Sequence, residues 1–164
     1  GKFHFVTSDG VVAYDPKEGK WDAAGRRMGW YMDSGACCEI DKVLYSASSS
    51  DKDGGVVFVW YDTKKRKWRN VMGLVGLPKL SCKSSNARVA DYGGKMGVMW
   101  EEESFLVHPW GCFHKMEIWC AEIALERRNS CNEIWGKVEW LDRVLTVGRG
   151  GSSFKLVKVL AATV

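Results

Sequence analysis

The sequence predicts an all-β protein made of repeated four-stranded antiparallel units. Apolar and polar residues alternate along most of the chain, as they do in strands that bury one face. A motif also recurs, as VVAYDPKEGKW at 11–21 and VFVWYDTKKRKW at 57–68. In both copies a β-branched run ends in Tyr-Asp, and a Trp follows seven residues after the Tyr. The two Tyr residues are 47 positions apart, and so are the two Trp residues.

The spacing of the motif indicates a propeller, because a period of about 50 residues is typical of kelch blades. A third copy, KMEIWCAEIALERRNSCNEIWGKVEW, places Ala121-Glu122 where Tyr-Asp stood and Trp135 after a longer turn. The sequence therefore predicts a partial kelch β-propeller of about three four-stranded antiparallel blades. We expect approximate repeats at 1–34, 35–85 and 86–147, followed by a closing strand at 152–164.

Each blade is predicted to begin with a tight hairpin. Short strands flank Asp41-Lys42 in one repeat and Gly93-Gly94 in the next, and the Tyr-Asp run then supplies the third strand. The Asp of the motif is expected to accept hydrogen bonds from its own turn, and the Trp to seal the space between neighbouring blades. The residues expected to define the repeat are Tyr14, Asp15, Trp21, Tyr61, Asp62, Trp68 and Trp135.

One segment favours a different structure by its composition. Residues 116–128 are rich in Ala, Glu, Leu and Arg, which have high helix propensity. The repeat register nevertheless places a strand there, and we predict a strand.

The composition limits the classes of function. The chain has 164 residues, 46% of them hydrophobic, nine Trp and a net charge of +4, which argues against disorder. No run reaches the roughly 20 apolar residues of a membrane helix, so we expect no membrane contact and a cytoplasmic or nuclear location. Because the chain begins without Met, we interpret it as a piece of a longer protein. The basic run at 64–67 occupies a hairpin tip, so we expect no nucleic-acid partner.

The quoted motifs and the tail MEIWCAEIALERR followed by EIWGKVEW resemble the C-terminal half of plant F-box/kelch-repeat proteins. The resemblance implies the substrate receptor of an SCF-type ubiquitin ligase. In such a receptor an F-box binds a Skp1-like adaptor and the propeller binds the protein to be ubiquitinated, here an unknown protein. The chain shows no F-box pattern, so an adaptor contact is expected only through a segment outside it.

A protein-binding face is expected at the end of the blades that carries the longer connections. The segment 101–114, EEESFLVHPWGCFH, is predicted to be a long loop that combines aromatic and charged residues. The candidate face comprises Trp30, Tyr31, Asp51, Asp53, Glu101, Glu102, Phe105, His108, Trp110 and Phe113. The alternative is that the aromatic residues of this loop fold back over the blade.

Other functions find little support in the residues. A scaffold or regulator without a ligase role remains the alternative function, and an oxidase-type kelch enzyme is a third hypothesis. His108, Cys112 and His114 match no standard zinc spacing, and no catalytic carboxylate pair or nucleophile is evident. We therefore expect no enzymatic activity, no metal and no cofactor.

The incomplete ring leads to a last expectation. A propeller hides its blade faces by closing radially, so a partial one leaves faces uncovered. We expect those faces to include Val57, Val59, Trp119 and Ile123, and the isolated chain to self-associate.

Overall fold

A computed structural model describes residues 2–7, 10–23, 31–32, 36–49, 54–81, 87–108, 111–128 and 130–148. Within these ranges the chain forms eleven β-strands and no helix. The strands form three antiparallel sheets, of three, four and four strands. The all-β prediction and the partial kelch propeller are confirmed. The predicted closing strand at 152–164 lies outside the described residues, and the repeat boundaries stay predictions.

Sheet 1 contains the first copy of the motif. Its strands are β1 (Phe3–Thr7), β2 (Gly10–Asp15) and β3 (Lys20–Ala23), paired in that order. Tyr14 lies opposite Trp21, with their ring centroids 4.8 Å apart. Oδ1 of Asp15 accepts a hydrogen bond from the backbone N–H of Lys17 at 3.0 Å. The Asp therefore stabilises the turn, because its side chain satisfies a donor that the reversing backbone leaves free.

Sheet 2 repeats this arrangement with one strand more. It pairs β4 (Cys37–Ile40), β5 (Val43–Ser49), β6 (Val56–Asp62) and β7 (Lys67–Asn70) in chain order. The hairpin at Asp41-Lys42 has φ values of 48° and 64°, the left-handed pair that a two-residue β-turn requires. Tyr61 lies opposite Trp68, and Asp62 accepts hydrogen bonds from the N–H groups of its own turn.

Sheet 3 contains much longer strands. It pairs β8 (Arg88–Tyr92), β9 (Lys95–His108), β10 (Gly111–Arg128) and β11 (Glu133–Gly148). The segment 116–128 is a strand, as predicted, although its residues favour helix. Its position explains this, because the whole segment pairs with β11 and residues 116–123 also pair with β9 on the other side. Pairing on both sides outweighs a propensity that is worth only tenths of a kcal/mol per residue.

The prediction of a long loop at 101–114 is wrong. Residues 101–108 continue β9 and residues 111–114 begin β10, and the two strands pair without interruption from His108 opposite Gly111 to Met96 opposite Ile123. The backbone N–H and C=O groups of these residues form hydrogen bonds with the neighbouring strand, and this pairing favours an extended hairpin over an irregular loop. Residues 109 and 110 lie outside the described part.

The predicted alignment of the third motif is also wrong. In sheets 1 and 2 the pair that closes the four-residue turn is Asp with Lys, and the Tyr–Trp pair follows it. In sheet 3 the closing pair is Arg128 with Glu133. Ile134 thus takes the place of Trp68, and Trp135 lies one position further, opposite Glu126. The Ala121-Glu122 pair lies well before the turn because β10 continues past it.

The main core lies between sheets 2 and 3. Large side chains from β5 and β6, such as Tyr45 and Trp60, form one buried cluster with Met96, Trp100 and Ile123 of sheet 3. Val59 and Ile123 are 3% and 0% exposed, so the expectation that they line an uncovered face is wrong. Two groups of exposed apolar residues lie instead in the first and third sheets: Phe3, Phe5 and Trp21 in sheet 1, and Trp140, Val144 and Leu145 in sheet 3. Met72, Val75 and Tyr92 are also exposed.

Candidate protein-binding surfaces

The tight turns lie together at one end of the blades. Strands in a meander alternate direction, so the turns at 16–19, 41–42, 63–66, 93–94 and 130–132 share an end. The opposite end, which we call the loop end, carries the connections through 71–81 and the tip of the β9–β10 hairpin. The candidate binding face was predicted at the loop end.

Tyr31 packs within the fold. Its ring lies 5.5 Å from that of Trp68, and its backbone oxygen accepts a hydrogen bond from Cys37 Sγ at 3.0 Å. Its side chain is half-buried. Tyr31 therefore joins the aromatic contact of the second motif, and its ring packs against Trp68 of sheet 2.

The two candidate glutamates differ in exposure. Glu101 is only 7% exposed, so its carboxylate does not face solvent and the expectation of a surface contact there is corrected. The next residue of the strand, Glu102, is exposed. Oε1 of Glu102 accepts a hydrogen bond from Nε1 of the buried Trp100 at 3.2 Å. Of the two, Glu102 is the residue that a partner can reach.

The remaining candidates are placed only by backbone or not at all. Phe105 and His108 lie in β9 and Phe113 lies in β10, with Phe105 opposite His114 and Phe113 opposite Leu106. These positions belong to the outer part of one hairpin. Trp30, Asp51, Asp53 and Trp110 lie outside the described residues.

The outer parts of three strands form a surface that the sequence patterns did not indicate. We call residues 100–108, 111–119 and 140–148 the projecting ribbon. Of these, 100–108, 111–119 and 143–148 extend past the end of β8, which pairs with β9 only as far as Met99. Trp140 lies opposite Glu122 and Leu145 opposite Ile118, which places both on one face of β11. They are 44% and 51% exposed. The period-2 run in EWLDRVLTV was the available signal for this strand.

Charged residues of the ribbon form a compact ion-pair cluster. Glu117 accepts contacts from Lys115 Nζ and from Arg143 Nη1, each at 2.6 Å. These hydrogen bonds hold the pKa of the Glu117 carboxyl below its ordinary value. Arg143 lies opposite Trp119, so the cluster occupies the face of the ribbon that is opposite to the one carrying Trp140 and Leu145.

A second surface is a cleft of about 680 Å³ between sheets 1 and 2. Ala13, Leu44 and Tyr61 line its inner part, and Lys42 and Arg66 lie at its rim on the turn side. No sequence pattern indicated the cleft, because its walls come from residues that are far apart in the chain.

The described residues contain no group of three or more His, Cys, Asp or Glu side chains positioned to hold a metal ion. In the same part of the chain there is no helix that could cross a membrane.

Comparison with known proteins identifies the family. The profile described as FKB95, Kelch-repeats domain, matches residues 1–145. The F-box/kelch-repeat protein At5g51250 of Arabidopsis thaliana is 46% identical over 163 residues, which cover 99% of this chain and 41% of the relative. At5g38670 is 46% identical, covering 99% of this chain and 52% of the relative. At3g08810 is 48% identical, and the match covers 93% of this chain and 42% of the relative. Both carry the same descriptive name and come from the same organism.

The chain thus spans about half the length of these relatives or less. The similarity extends over nearly all of its own length, and the sheets that it forms are those of a kelch propeller. The chain belongs to the FKB95 kelch-repeat domain family.

Proposed function

We propose that the chain is the protein-recognition part of a substrate receptor in an SCF-type ubiquitin ligase. The observation that carries the proposal is the similarity, over nearly the whole chain, to proteins named F-box/kelch-repeat proteins. In this role the propeller binds the protein to be ubiquitinated. An F-box elsewhere in the longer protein binds the Skp1-like adaptor.

The projecting ribbon supports a protein-binding role. It presents Trp140, Val144 and Leu145 to solvent, with Trp140 and Leu145 on one face of β11 and Arg143 on the other. An exposed aromatic side chain with an exposed apolar neighbour on the same face is typical of the centre of a protein interface. Phe105, His108 and Phe113 of the predicted face belong to the same hairpin, and Glu102 lies on it.

The experiment uses the full-length natural protein that contains this chain. We expect it to co-purify with a Skp1-like adaptor and to carry specific partner proteins whose ubiquitination depends on it. Replacing Trp140 and Leu145 with Ser is expected to release the partners while the adaptor stays bound. Lys137→Ser, on the same strand, is the matched control.

The alternative is a kelch scaffold or regulator without a ligase role. It predicts that partners bind through the same ribbon but that no adaptor co-purifies and that partner levels do not change when the protein is removed. Co-purification of the adaptor therefore separates the two functions. We propose no enzymatic activity, metal or cofactor for the chain.

A further inference from the structure

Sheet 1 carries three aromatic rings on one exposed face. Phe5 lies opposite Val12, and Tyr14 lies opposite Trp21. The ring centroids of Phe5 and Trp21 are 5.6 Å apart, and those of Tyr14 and Trp21 are 4.8 Å apart. Trp21 is 62% exposed and Phe5 is 46% exposed. We call Phe5, Tyr14 and Trp21 the aromatic platform.

The aromatic platform faces away from sheet 2. His4, Ala13 and Asp22 lie opposite one another in β1, β2 and β3, and all three line the cleft between sheets 1 and 2. Successive residues of a strand point to opposite faces. The three rings follow or precede these residues by one position, so they point to the other side of sheet 1.

The second copy of the motif shows how the equivalent face is covered in sheet 2. Tyr61 and Trp68 are paired there as Tyr14 and Trp21 are in sheet 1. Tyr31, which precedes sheet 2 in the chain, places its ring 5.5 Å from that of Trp68. Trp68 is half-buried, whereas Trp21 is mostly exposed. The motif Trp of sheet 2 therefore has an aromatic neighbour from the preceding segment.

Tyr31 is also hydrogen-bonded to the face of sheet 2 that it covers. Its backbone oxygen accepts a hydrogen bond from Ser46 Oγ, and Ser46 lies opposite Val59 of β6. The equivalent of Ser46 in sheet 1 is Phe5, which lies opposite Val12, 47 positions before Val59. Ser46 is 1% exposed, so the face that is covered in sheet 2 is the one that stays open in sheet 1.

The equivalent of Tyr31 for sheet 1 falls outside this chain. Tyr31 precedes Ser46 by 15 residues, and the position 15 residues before Phe5 lies ahead of residue 1. The matched residues make up only 41% and 52% of two relatives. A longer protein of that size has further chain that can supply a residue of this kind.

We propose that the aromatic platform binds a segment of the longer protein that precedes this chain, through an aromatic side chain of that segment. The ring packs against Trp21 as Tyr31 packs against Trp68. Phe5 lacks the hydroxyl with which Ser46 binds the Tyr31 oxygen, so ring contacts and apolar burial hold the segment. The inference goes beyond the ligase role and does not depend on it, because the contact lies within one polypeptide.

Photo-cross-linking of the full-length natural protein identifies the occupant. Trp21 is replaced by p-benzoylphenylalanine, which keeps an aromatic ring at the site and reacts on irradiation with the groups that contact it. Mass spectrometry of the digest identifies the joined peptide. We expect a cross-link within one chain, to a peptide that precedes residue 1 of this sequence. The same replacement at Tyr92, an exposed residue of β8, is the control and is expected to give no such product.

Hydrogen–deuterium exchange of the full-length protein tests the role of the ring. Trp21→Ser removes it, and Trp21→Phe keeps a smaller one. We expect the cross-linked peptide to exchange about tenfold or more faster in Trp21→Ser, and close to the wild-type rate in Trp21→Phe. Tyr92→Ser is the matched control and is expected to leave this rate unchanged. Exchange in β2 is followed in the same samples and is expected to show that sheet 1 stays folded.

Several outcomes would overturn the proposal. A cross-link to a second copy, to a different protein or to a segment within this sequence would each identify another occupant. A product of doubled mass distinguishes the second copy from a cross-link within one chain. Failure of Trp21 to cross-link with any segment, or equal exchange of the preceding segment in Trp21→Ser and the wild type, would show that the platform is not a docking surface.

Discussion

Nδ2 of Asn132 donates a hydrogen bond to Oδ2 of Asp62 across 3.1 Å, and this bond joins the outer turn of sheet 3 to that of sheet 2. Asp62 is 3% exposed. Arg69 strengthens the link, because Nη1 donates to the backbone oxygen of Asn132 and lies 3.6 Å from Oδ2 of Asp62. The motif Asp therefore stabilises its own turn and also connects neighbouring blades.

We expect Asn132→Gly to lower the free energy of unfolding by about 1–2 kcal/mol, because the buried carboxylate loses a donor. Asn132 has a φ of 49°, which Gly adopts without strain. Asn132→Ala is expected to lower the free energy of unfolding by about 1 kcal/mol more than Asn132→Gly, because Ala adopts the left-handed backbone conformation less readily than Gly. Urea unfolding measures both. A coupling energy near zero in a double-mutant cycle with Asp62→Ala would contradict the bond.

Stability is expected to fall in acid through Asp62. Burial acts to raise the pKa of its carboxyl, but the N–H groups of Lys65 and Lys64 and the guanidinium of Arg69 outweigh burial and hold this pKa below the ordinary 3.8. Because the pKa of Asp62 is lower in the folded state than in the unfolded state, its ionised carboxylate stabilises the folded protein above pH 3.8. This contribution to the free energy of unfolding is lost as the pH falls through the pKa of the folded state. Unfolding measured from neutral to acidic pH is expected to show a smaller loss for Asp62→Asn than for the wild type. Equal losses would rule out the contribution.

The space around two glycines of sheet 3 predicts opposite effects on stability when each is replaced by Ala. A Cβ at Gly136 would lie 2.5 Å from Cδ2 of Leu74 and 3.0 Å from Cγ2 of Ile123, so Gly136→Ala is expected to destabilise by about 1–3 kcal/mol. A Cβ at Gly97 would meet its nearest atoms at 3.6 Å, an ordinary contact. Gly97→Ala is therefore the control, expected to be neutral or stabilising by up to about 1 kcal/mol. Thermal unfolding that ranks the two variants in the reverse order would contradict the packing around β11.

Thiol reactivity is expected to differ among the cysteines. Burial raises the pKa of the Cys38 thiol to about 12, with a smaller contribution from Cys37. Cys131 is exposed in the β10–β11 turn. Since the thiolate is the reactive form, iodoacetamide at mildly alkaline pH is expected to modify Cys131 well before Cys38. Mass spectrometry of timed samples measures the order. Equal rates in the folded protein would contradict the burial of β4.

The isolated chain is expected to self-associate through the exposed apolar residues of its first and third sheets. The ring centroids of Phe5 and Trp21 lie 5.6 Å apart on sheet 1, and Trp140 and Leu145 are exposed on sheet 3. Surfaces of this kind promote contact between chains. Sedimentation of Trp21→Ser/Trp140→Ser is expected to show less association than the wild type. Val75→Ser, an exposed position in the 71–81 connection, is the control. A wild-type chain that stays monomeric at high concentration would show that these faces do not associate.

Local patterns in the sequence determined the strand class, the hairpins at Asp41-Lys42 and Gly93-Gly94, and the turns at Asp15 and Asp62. These features depend on neighbours within a few residues, because an Asp carboxylate reaches backbone donors two or three positions along the chain. The strand at 116–128 was predictable from the repeat period alone, against its own propensity. For the candidate face, the aromatic and charged composition of the β9–β10 hairpin was visible, but its strand structure was not.

Only the tertiary structure decided the length of β9, β10 and β11, the register that places Ile134 rather than Trp135 at the position of the motif Trp, and the burial of Glu101. It also decided where the cleft lies. Each of these depends on pairing with other strands or on packing between sheets, which local sequence patterns do not specify. The sequence by itself specified how each turn is made, and the packing of one sheet on the next determined which side chains remain available to a partner.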